Sequence, residues 1–152
     1  MIMKIKVDIQ RATDTHDFPD NRQIRKWART AMSVYDKDAE LTIRIVDEEE
    51  GTELNRKWRK KKGPTNVLSF PYEDNNTIAG GLLGDIILCA PVIRREALEQ
   101  KKTLASHWAH MVIHGTLHLI GYDHIKPEDT GRMERLEIRL LESLGFANPY
   151  YR

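Results

Sequence analysis

The alternation of hydrophobic and polar positions along the chain predicts four strands. Apolar residues at every second position indicate strands over 3–9 and 41–45. Two continuous apolar runs, at 67–70 and 82–90, indicate two more strands. The last run is apolar enough to lie at the centre of a sheet, buried on both faces.

Elsewhere, apolar residues recur every three or four positions, which is typical of one face of a helix. The first helix begins after a capping Asp20 or Asn21. Acidic residues open the second helix, where the helix dipole favours them, and prolines suit the first turns of two later helices. The later helices are predicted over 48–58, 91–100, 103–120 and 127–144.

The resulting order of elements, β-α-β-α-β-β-α-α-α, interleaves strands and helices early and groups helices late. It indicates the α+β class, with one mixed β-sheet of about four strands covered by helices. A chain of 152 residues can bury its own core, so we expect residues 1–152 to form a single domain. The helix over 103–120 is apolar on most sides and should be largely buried.

Composition excludes several classes of protein without selecting one. The net charge of +1, from 24 basic and 23 acidic residues, favours no partner by itself. The single cysteine, Cys89, rules out a disulfide within the chain and favours a reducing cytoplasm. Residues 1–10 are too short and too charged for a signal peptide. Asp85 and Pro91 interrupt the longest apolar stretch, so no membrane association is expected.

Three histidines near the end of the buried helix carry the strongest chemical signal. His114 and His118 lie about 40° apart on one helix face, close enough to bind one ion. Gly121 can end the helix in a left-handed conformation and turn the chain so that His124 joins them. Imidazoles suit a divalent transition metal, so these residues predict one Zn²⁺ per chain, with nickel or copper as alternatives.

Other polar residues near this motif each have more than one interpretation. Asp123 either orients a ligand histidine or belongs to the turn. His107 and His110 share the helix stripe, but one straight helix cannot direct all its histidines to one point. They could be rival ligands, but this geometry favours groups that support the ligands or histidines packed in the core. Asp85 is either a base near the metal or the anchor of a buried hydrogen-bond network.

The expected metal site is catalytic rather than structural. Three neutral imidazoles leave the ion its full charge and a fourth position open for water. Water bound there has a pKa of about 7, so hydroxide is available at neutral pH. The zinc-peptidase motif needs a glutamate after the first histidine, and Gly115 occupies that position. Peptide hydrolysis is therefore disfavoured.

A run of cations over 55–62 provides the second chemical feature, with six lysines and arginines among eight residues. Alone, such a run is as readily a solvated face. Beside a cationic metal it becomes a candidate track for RNA phosphates, and Arg59 could donate two hydrogen bonds to the scissile phosphate. The expected RNA-binding residues are Arg56, Lys60, Lys61 and Lys62.

Three blocks of residues occur in an order and spacing that resemble a known family. The first contains Leu54-Asn55, Arg59 and the run Pro64-Thr-Asn-Val-Leu-Ser-Phe-Pro71, and the second is Gly84-Asp-Ile86. The third is the histidine motif from His114 to His124. On these blocks, over roughly residues 3 to 146, the chain resembles the YbeY family of bacterial endoribonucleases.

The resemblance implies a zinc-dependent endoribonuclease that selects single-stranded RNA. It implies a role in 16S rRNA 3′-end maturation and in ribosome quality control. His114, His118 and His124 are the implied zinc ligands, and Arg59 is an implied catalytic residue. RNA is the implied substrate, and the ribosome or its small-subunit proteins are implied partners.

Two alternative functions stay open at this point. The chain could be a zinc hydrolase of a non-RNA substrate, with Asp85 or another carboxylate as base. It could also be a non-catalytic, RNA-binding ribosome assembly factor with a structural metal. Arg59→Ala separates an enzyme from a binding module, because the enzyme should lose turnover and the module should lose only some affinity.

Overall fold

Four strands and five helices make up the part of the chain that the computed structural model describes, which is residues 4–35, 37–72, 81–122 and 126–150. They follow one another in the predicted order, and the α+β prediction is confirmed. The strands are β1 (Ile5–Ala12), β2 (Ala39–Val46), β3 (Val67–Pro71) and β4 (Leu82–Cys89). The helices are α1 (Asn21–Met32), α2 (Glu48–Arg59), α3 (Ala90–Glu99), α4 (Leu104–Leu119) and α5 (Pro127–Ser143).

The strands form one mixed sheet, as predicted, and their order in it is β1-β2-β4-β3. β1, β2 and β4 are parallel, and β3 pairs with β4 in the antiparallel direction. β1 extends beyond its predicted end because its pairing with β2 continues to Ala12, opposite Val46. Gln10 and Arg11 are polar, so pairing with a distant strand, and not local pattern, fixes this end.

Side chains of β4 alternate between apolar clusters on the two faces of the sheet. Ile86 and Leu88 belong to the larger cluster, which also contains residues of α1, α4 and α5. Ile87 and Cys89 belong to a smaller cluster, against which Leu54 of α2 packs. This burial on both faces explains the continuous apolar run of β4. Among the described helices, none is long and apolar enough to cross a membrane.

α4 passes through the larger cluster and packs against α1, α3, α5, β3 and β4. Its start is capped by the Thr103 side chain, and residues such as Trp108 are completely buried along it. Its end is followed by Gly121, which has a positive φ of 108°. The Tyr122 N–H then donates to the Leu117 carbonyl at 3.0 Å, so the helix ends in a turn at Gly121. The histidines therefore lie on a largely buried helix, as predicted.

Candidate metal centre

His114 and His118 direct their rings toward one point near the end of α4. Their Nε2 atoms lie 3.1 Å apart, and their ring centroids lie 4.6 Å apart with the planes at 80°. Two ligands of a tetrahedral zinc ion, each about 2.0–2.1 Å from the metal, lie roughly 3.3 Å from each other. The two imidazoles therefore have the spacing of ligands to one ion. Asp123 and His124 lie outside the described residues.

A buried carboxylate of α5 contacts the other side of the His114 ring. The Oε2 atom of Glu137 lies 3.0 Å from Nδ1 of His114 and 2.8 Å from Nε2 of His110. The Tyr150 hydroxyl donates to the other oxygen, Oε1, at 2.7 Å. Burial by itself raises the pKa of Glu137, but hydrogen bonds from His110 and His114 outweigh it and lower this pKa to about 2. The carboxylate is therefore charged at neutral pH.

His110, His114 and Glu137 also form a group that could hold a metal ion, with ligand atoms within 4.8 Å of one another. The His114 nitrogen nearest Glu137 is Nδ1, whereas Nε2 faces His118. The two arrangements therefore use opposite sides of one ring. The side chains of His110 and Glu137 are 8% and 1% exposed, whereas that of His114 is 22% exposed. An ion beside Glu137 would be enclosed by protein, and one beside His118 would face a cleft.

This cleft, of about 410 Å³, is lined by His114 and His118 and also by Arg59 and Lys61. The structure thus brings the histidine pair together with two of the predicted cations. The other lining residues are Asn55, Thr65, Asn66, Val67, Leu68 and Ser69. Two cations beside two potential metal ligands give the cleft an affinity for anions.

A buried asparagine holds the turn that follows α2. Asn55, which is 4% exposed, donates from its side chain to the Gly63 carbonyl at 2.9 Å. Lys60 ends the helix with a left-handed φ of 58°. The Lys61 N–H then donates to the Asn55 carbonyl at 3.3 Å. This turn brings Lys61 back to the cleft beside Arg59.

The remaining predicted RNA-binding cations lie elsewhere on this segment. Arg56, Lys60 and Lys62 are exposed, and they are not among the described residues that line the cleft. Arg56 lies 3.6 Å from Glu53, and both side chains are strongly exposed. An exposed pair of this kind contributes only about 0–1 kcal/mol, so Arg56 can readily exchange this partner for a phosphate. Their contact with RNA stays a prediction.

Gly115 allows α4 to approach the sheet closely just after the first histidine. A Cβ at this position would lie 2.9 Å from Cγ2 of Ile86 and 3.0 Å from Cγ2 of Val67. The Gly115 carbonyl accepts a hydrogen bond from the buried Ser69 hydroxyl at 3.0 Å. No room is left for the glutamate that zinc peptidases carry here, which is a steric argument against peptide hydrolysis.

His107 and Asp85 each have a hydrogen-bond partner away from the histidine pair. Nε2 of His107 lies 2.9 Å from Oε1 of Glu96, and the Asn66 amide donates to the same atom at 3.1 Å. Burial raises the pKa of Glu96, but the hydrogen bonds from His107 and Asn66 outweigh it, so this pKa is lowered. Asp85 accepts a hydrogen bond from the Tyr72 hydroxyl at 3.2 Å. His107 and Asp85 are not among the described lining residues.

Sequence reasoning missed the contribution of Glu137 and Tyr150. Glu137 falls on the apolar stripe of α5, four residues after the buried Met133 and three before the buried Leu140. A carboxylate on a buried stripe requires a partner, so this position carried a usable signal. No local pattern marks Tyr150, because its contact with Glu137 depends on the path of the chain after α5.

The fold and these side chains define an α+β protein with a candidate metal centre in a cation-lined cleft. A family model described as endoribonuclease YbeY matches residues 8–145. The chain therefore belongs to the YbeY endoribonuclease family, which confirms the resemblance and supports an endoribonuclease role. It is also similar to the solution structure of TM1509 from Thermotoga maritima, at 22% identity and a TM-score of 0.59. That similarity covers 95% of this chain and 99% of the other, and it supports the fold.

Proposed function

We propose that this protein is a zinc-dependent endoribonuclease that selects single-stranded RNA. We further propose that it acts in 16S rRNA 3′-end maturation and in ribosome quality control. The main support is that the Nε2 atoms of His114 and His118 converge to 3.1 Å in the same cleft as Arg59. The family supports the reaction class. The proposal treats residues 1–152 as one catalytic domain that works in the cytoplasm.

The proposed zinc ligands are His114, His118 and His124, with one ion per chain. The donor set fits the metal, because the two described imidazoles have ligand spacing and lie on a rigid, buried helix. Zinc held by neutral imidazoles supplies a Lewis acid and lowers the pKa of bound water to about 7. Arg59 binds the scissile phosphate, since its planar guanidinium can donate two parallel hydrogen bonds and stays protonated.

The remaining cations of the segment are assigned to RNA on either side of the cleaved bond. Lys61 lines the cleft, and Arg56, Lys60 and Lys62 are exposed on the same segment. Contacts of this kind position the RNA backbone without reading its sequence. Because each contact releases counterions, binding should weaken as salt increases. The ribosome or its small-subunit proteins are proposed partners, on the basis of the family resemblance.

The direct test uses end-labelled RNA that contains both single-stranded and paired segments. Zinc-loaded protein should cleave the single-stranded segments, a chelator should abolish cleavage, and added zinc should restore it. Arg59→Ala should lower turnover by about 10²–10³-fold with a smaller effect on RNA affinity, because it removes a donor to the reacting phosphate. Arg22→Ala, which removes an exposed arginine of α1, is the matched control and should preserve both.

Each of the other outcomes has a defined meaning. Cleavage that survives complete metal removal, or that persists in His114→Ala, would reject the mechanism. Turnover of a peptide or a small amide without effect on RNA would favour a zinc hydrolase of another substrate. Tight, salt-sensitive RNA binding without cleavage would favour a ribosome assembly factor.

A further inference from the structure

Hydrogen bonds connect Nδ1 of His114 through the Glu137 carboxylate to the Tyr150 hydroxyl. From these hydrogen bonds we propose that Glu137 and Tyr150 are positioning residues for the metal centre. Glu137 fixes the His114 ring with Nε2 toward the metal, and Tyr150 fixes the Glu137 carboxylate. This inference rests on the proposed role of His114 as a ligand.

The contact with Glu137 selects one tautomer of His114. A carboxylate can only accept hydrogen bonds, so its distance of 3.0 Å from Nδ1 places the imidazole proton on that nitrogen. Nε2 then carries a lone pair directed toward His118, as a metal ligand requires. A carboxylate hydrogen-bonded to the far nitrogen of an imidazole also raises the basicity of the ligand nitrogen. Glu137 therefore orients the His114 ring and places a negative charge beside it.

The contact with His110 argues against an ion shared by His110, His114 and Glu137. When the Nε2–H of His110 donates to Oε2 at 2.8 Å, Nδ1 of His110 carries a lone pair. This Nδ1 is buried and has no hydrogen-bond partner among the described residues. A metal bound at Nε2 of His110 would move the His110 proton to Nδ1 and leave a buried, unpaired N–H there. Orphaned buried N–H groups are rarer than under-satisfied acceptors, so the hydrogen-bonded arrangement is favoured.

Tyr150 anchors the chain that follows α5 to this cluster. Its hydroxyl donates to Oε1 of Glu137 at 2.7 Å, while the Lys102 ammonium donates to the adjacent Pro149 carbonyl at 2.9 Å. Burial and the nearby charge of Glu137 raise the pKa of Tyr150, so the phenol remains a donor at neutral pH. With Oε1 occupied in this way, Oε2 stays directed at the imidazoles.

The test measures the zinc affinity of the full chain by competition with a chromophoric chelator. Glu137→Gln keeps the shape of the side chain but removes its charge, and it should weaken zinc binding by about 10–100-fold. Tyr150→Phe removes a single hydrogen bond and should weaken binding less, by up to about tenfold. Histidine ¹⁵N chemical shifts of the zinc-free protein should show His114 protonated at Nδ1, with this preference reduced in Glu137→Gln.

Two matched controls make the same chemical changes elsewhere. Glu96→Gln removes a carboxylate that contacts another buried histidine of α4, and Tyr72→Phe removes a hydroxyl that donates to a carboxylate. Both should leave the zinc affinity and the His114 tautomer unchanged. Circular dichroism checks folding. If Glu137→Gln does not fold, Tyr150→Phe carries the test, because Tyr150 is 42% exposed.

Three results would overturn the inference. The first is unchanged zinc affinity in both Glu137→Gln and Tyr150→Phe, and the second is wild-type His114 protonated at Nε2. The third is an anomalous map of zinc-loaded crystals with the ion within about 2.2 Å of a Glu137 oxygen, which is a ligand distance. A protein that shows the expected affinities but cleaves no RNA would reject the proposed function and leave this inference standing.

Discussion

Replacing Gly115 by alanine tests how tightly α4 packs on the sheet beside the metal centre. The new Cβ would lie 2.9 Å from Cγ2 of Ile86, 3.0 Å from Cγ2 of Val67 and 3.4 Å from Oγ of Ser69. Ile86 and Val67 are β-branched, so their γ carbons cannot easily rotate away. The helix or the strands must therefore shift by a few tenths of an ångström.

Two opposing contributions determine how Gly115→Ala changes the free energy of unfolding. Alanine in a helix interior is favoured over glycine by about 1 kcal/mol, whereas overpacking a core costs about 1–3 kcal/mol. Gly115→Ala should therefore lower the free energy of unfolding by about 0–2 kcal/mol. Gly131→Ala in α5 is the matched control, because its Cβ would meet the flexible end of the Arg135 side chain. It should stabilise by about 1 kcal/mol, so the difference between the two variants isolates the packing cost.

Urea unfolding monitored by circular dichroism, with excess chelator to remove any contribution from bound metal, measures both free energies. Adding Val67→Ala to Gly115→Ala removes one of the two crowded carbons. A double-mutant cycle should then show a favourable coupling between the two sites. If Gly115→Ala stabilises the protein as much as Gly131→Ala does, the close contact between α4 and the sheet is wrong.

Four further outcomes are expected. Asn55→Ala should release the turn that carries Lys61 and cost about 1 kcal/mol in urea unfolding, because the part-buried hydrogen bond to the Gly63 carbonyl is lost; an unchanged midpoint would contradict this. Thr103→Ala should cost about 1 kcal/mol in thermal unfolding through loss of the α4 cap, and Thr103→Ser should retain most of that stability. The lowered pKa of Glu96 stabilises the folded state, and this stability is complete above the ordinary pKa of 4.5. It is lost as pH falls through the folded-state pKa. Glu96→Gln should therefore flatten the acid side of the curve of folding stability against pH. Zinc held by neutral imidazoles should dissociate as pH falls through about 6, and elemental analysis after dialysis at acid and neutral pH should show the loss; equal zinc content at both would argue against histidine ligands.

The order of the elements could be predicted because most of them have a clear local period. The apolar run of β4 and the uniform apolarity of α4 both reflect burial on all sides, which a sequence reports directly. The end of β1 could not be predicted, since Gln10 and Arg11 gain their strand conformation from pairing with β2. Pairing between distant segments leaves little trace in local pattern.

The candidate site also has parts that the sequence predicts and parts that it does not. The convergence of His114 and His118 was predictable, because a spacing of four residues on a helix fixes the geometry by itself. The sequence could not tell which cations line the cleft, since Lys61 is selected by a turn held by Asn55. The partner of His114 lies 23 residues away on α5, and only tertiary packing brings it there.

Because α4 is packed on nearly every side, the helix that carries the two imidazoles is held in place by the core and not by an ion. Classical zinc fingers are unfolded without their metal, whereas this protein should stay folded when the proposed zinc is lost. The supply of zinc would then determine which fraction of the folded protein is active. Activity could rise and fall with zinc availability while the amount of protein stayed constant.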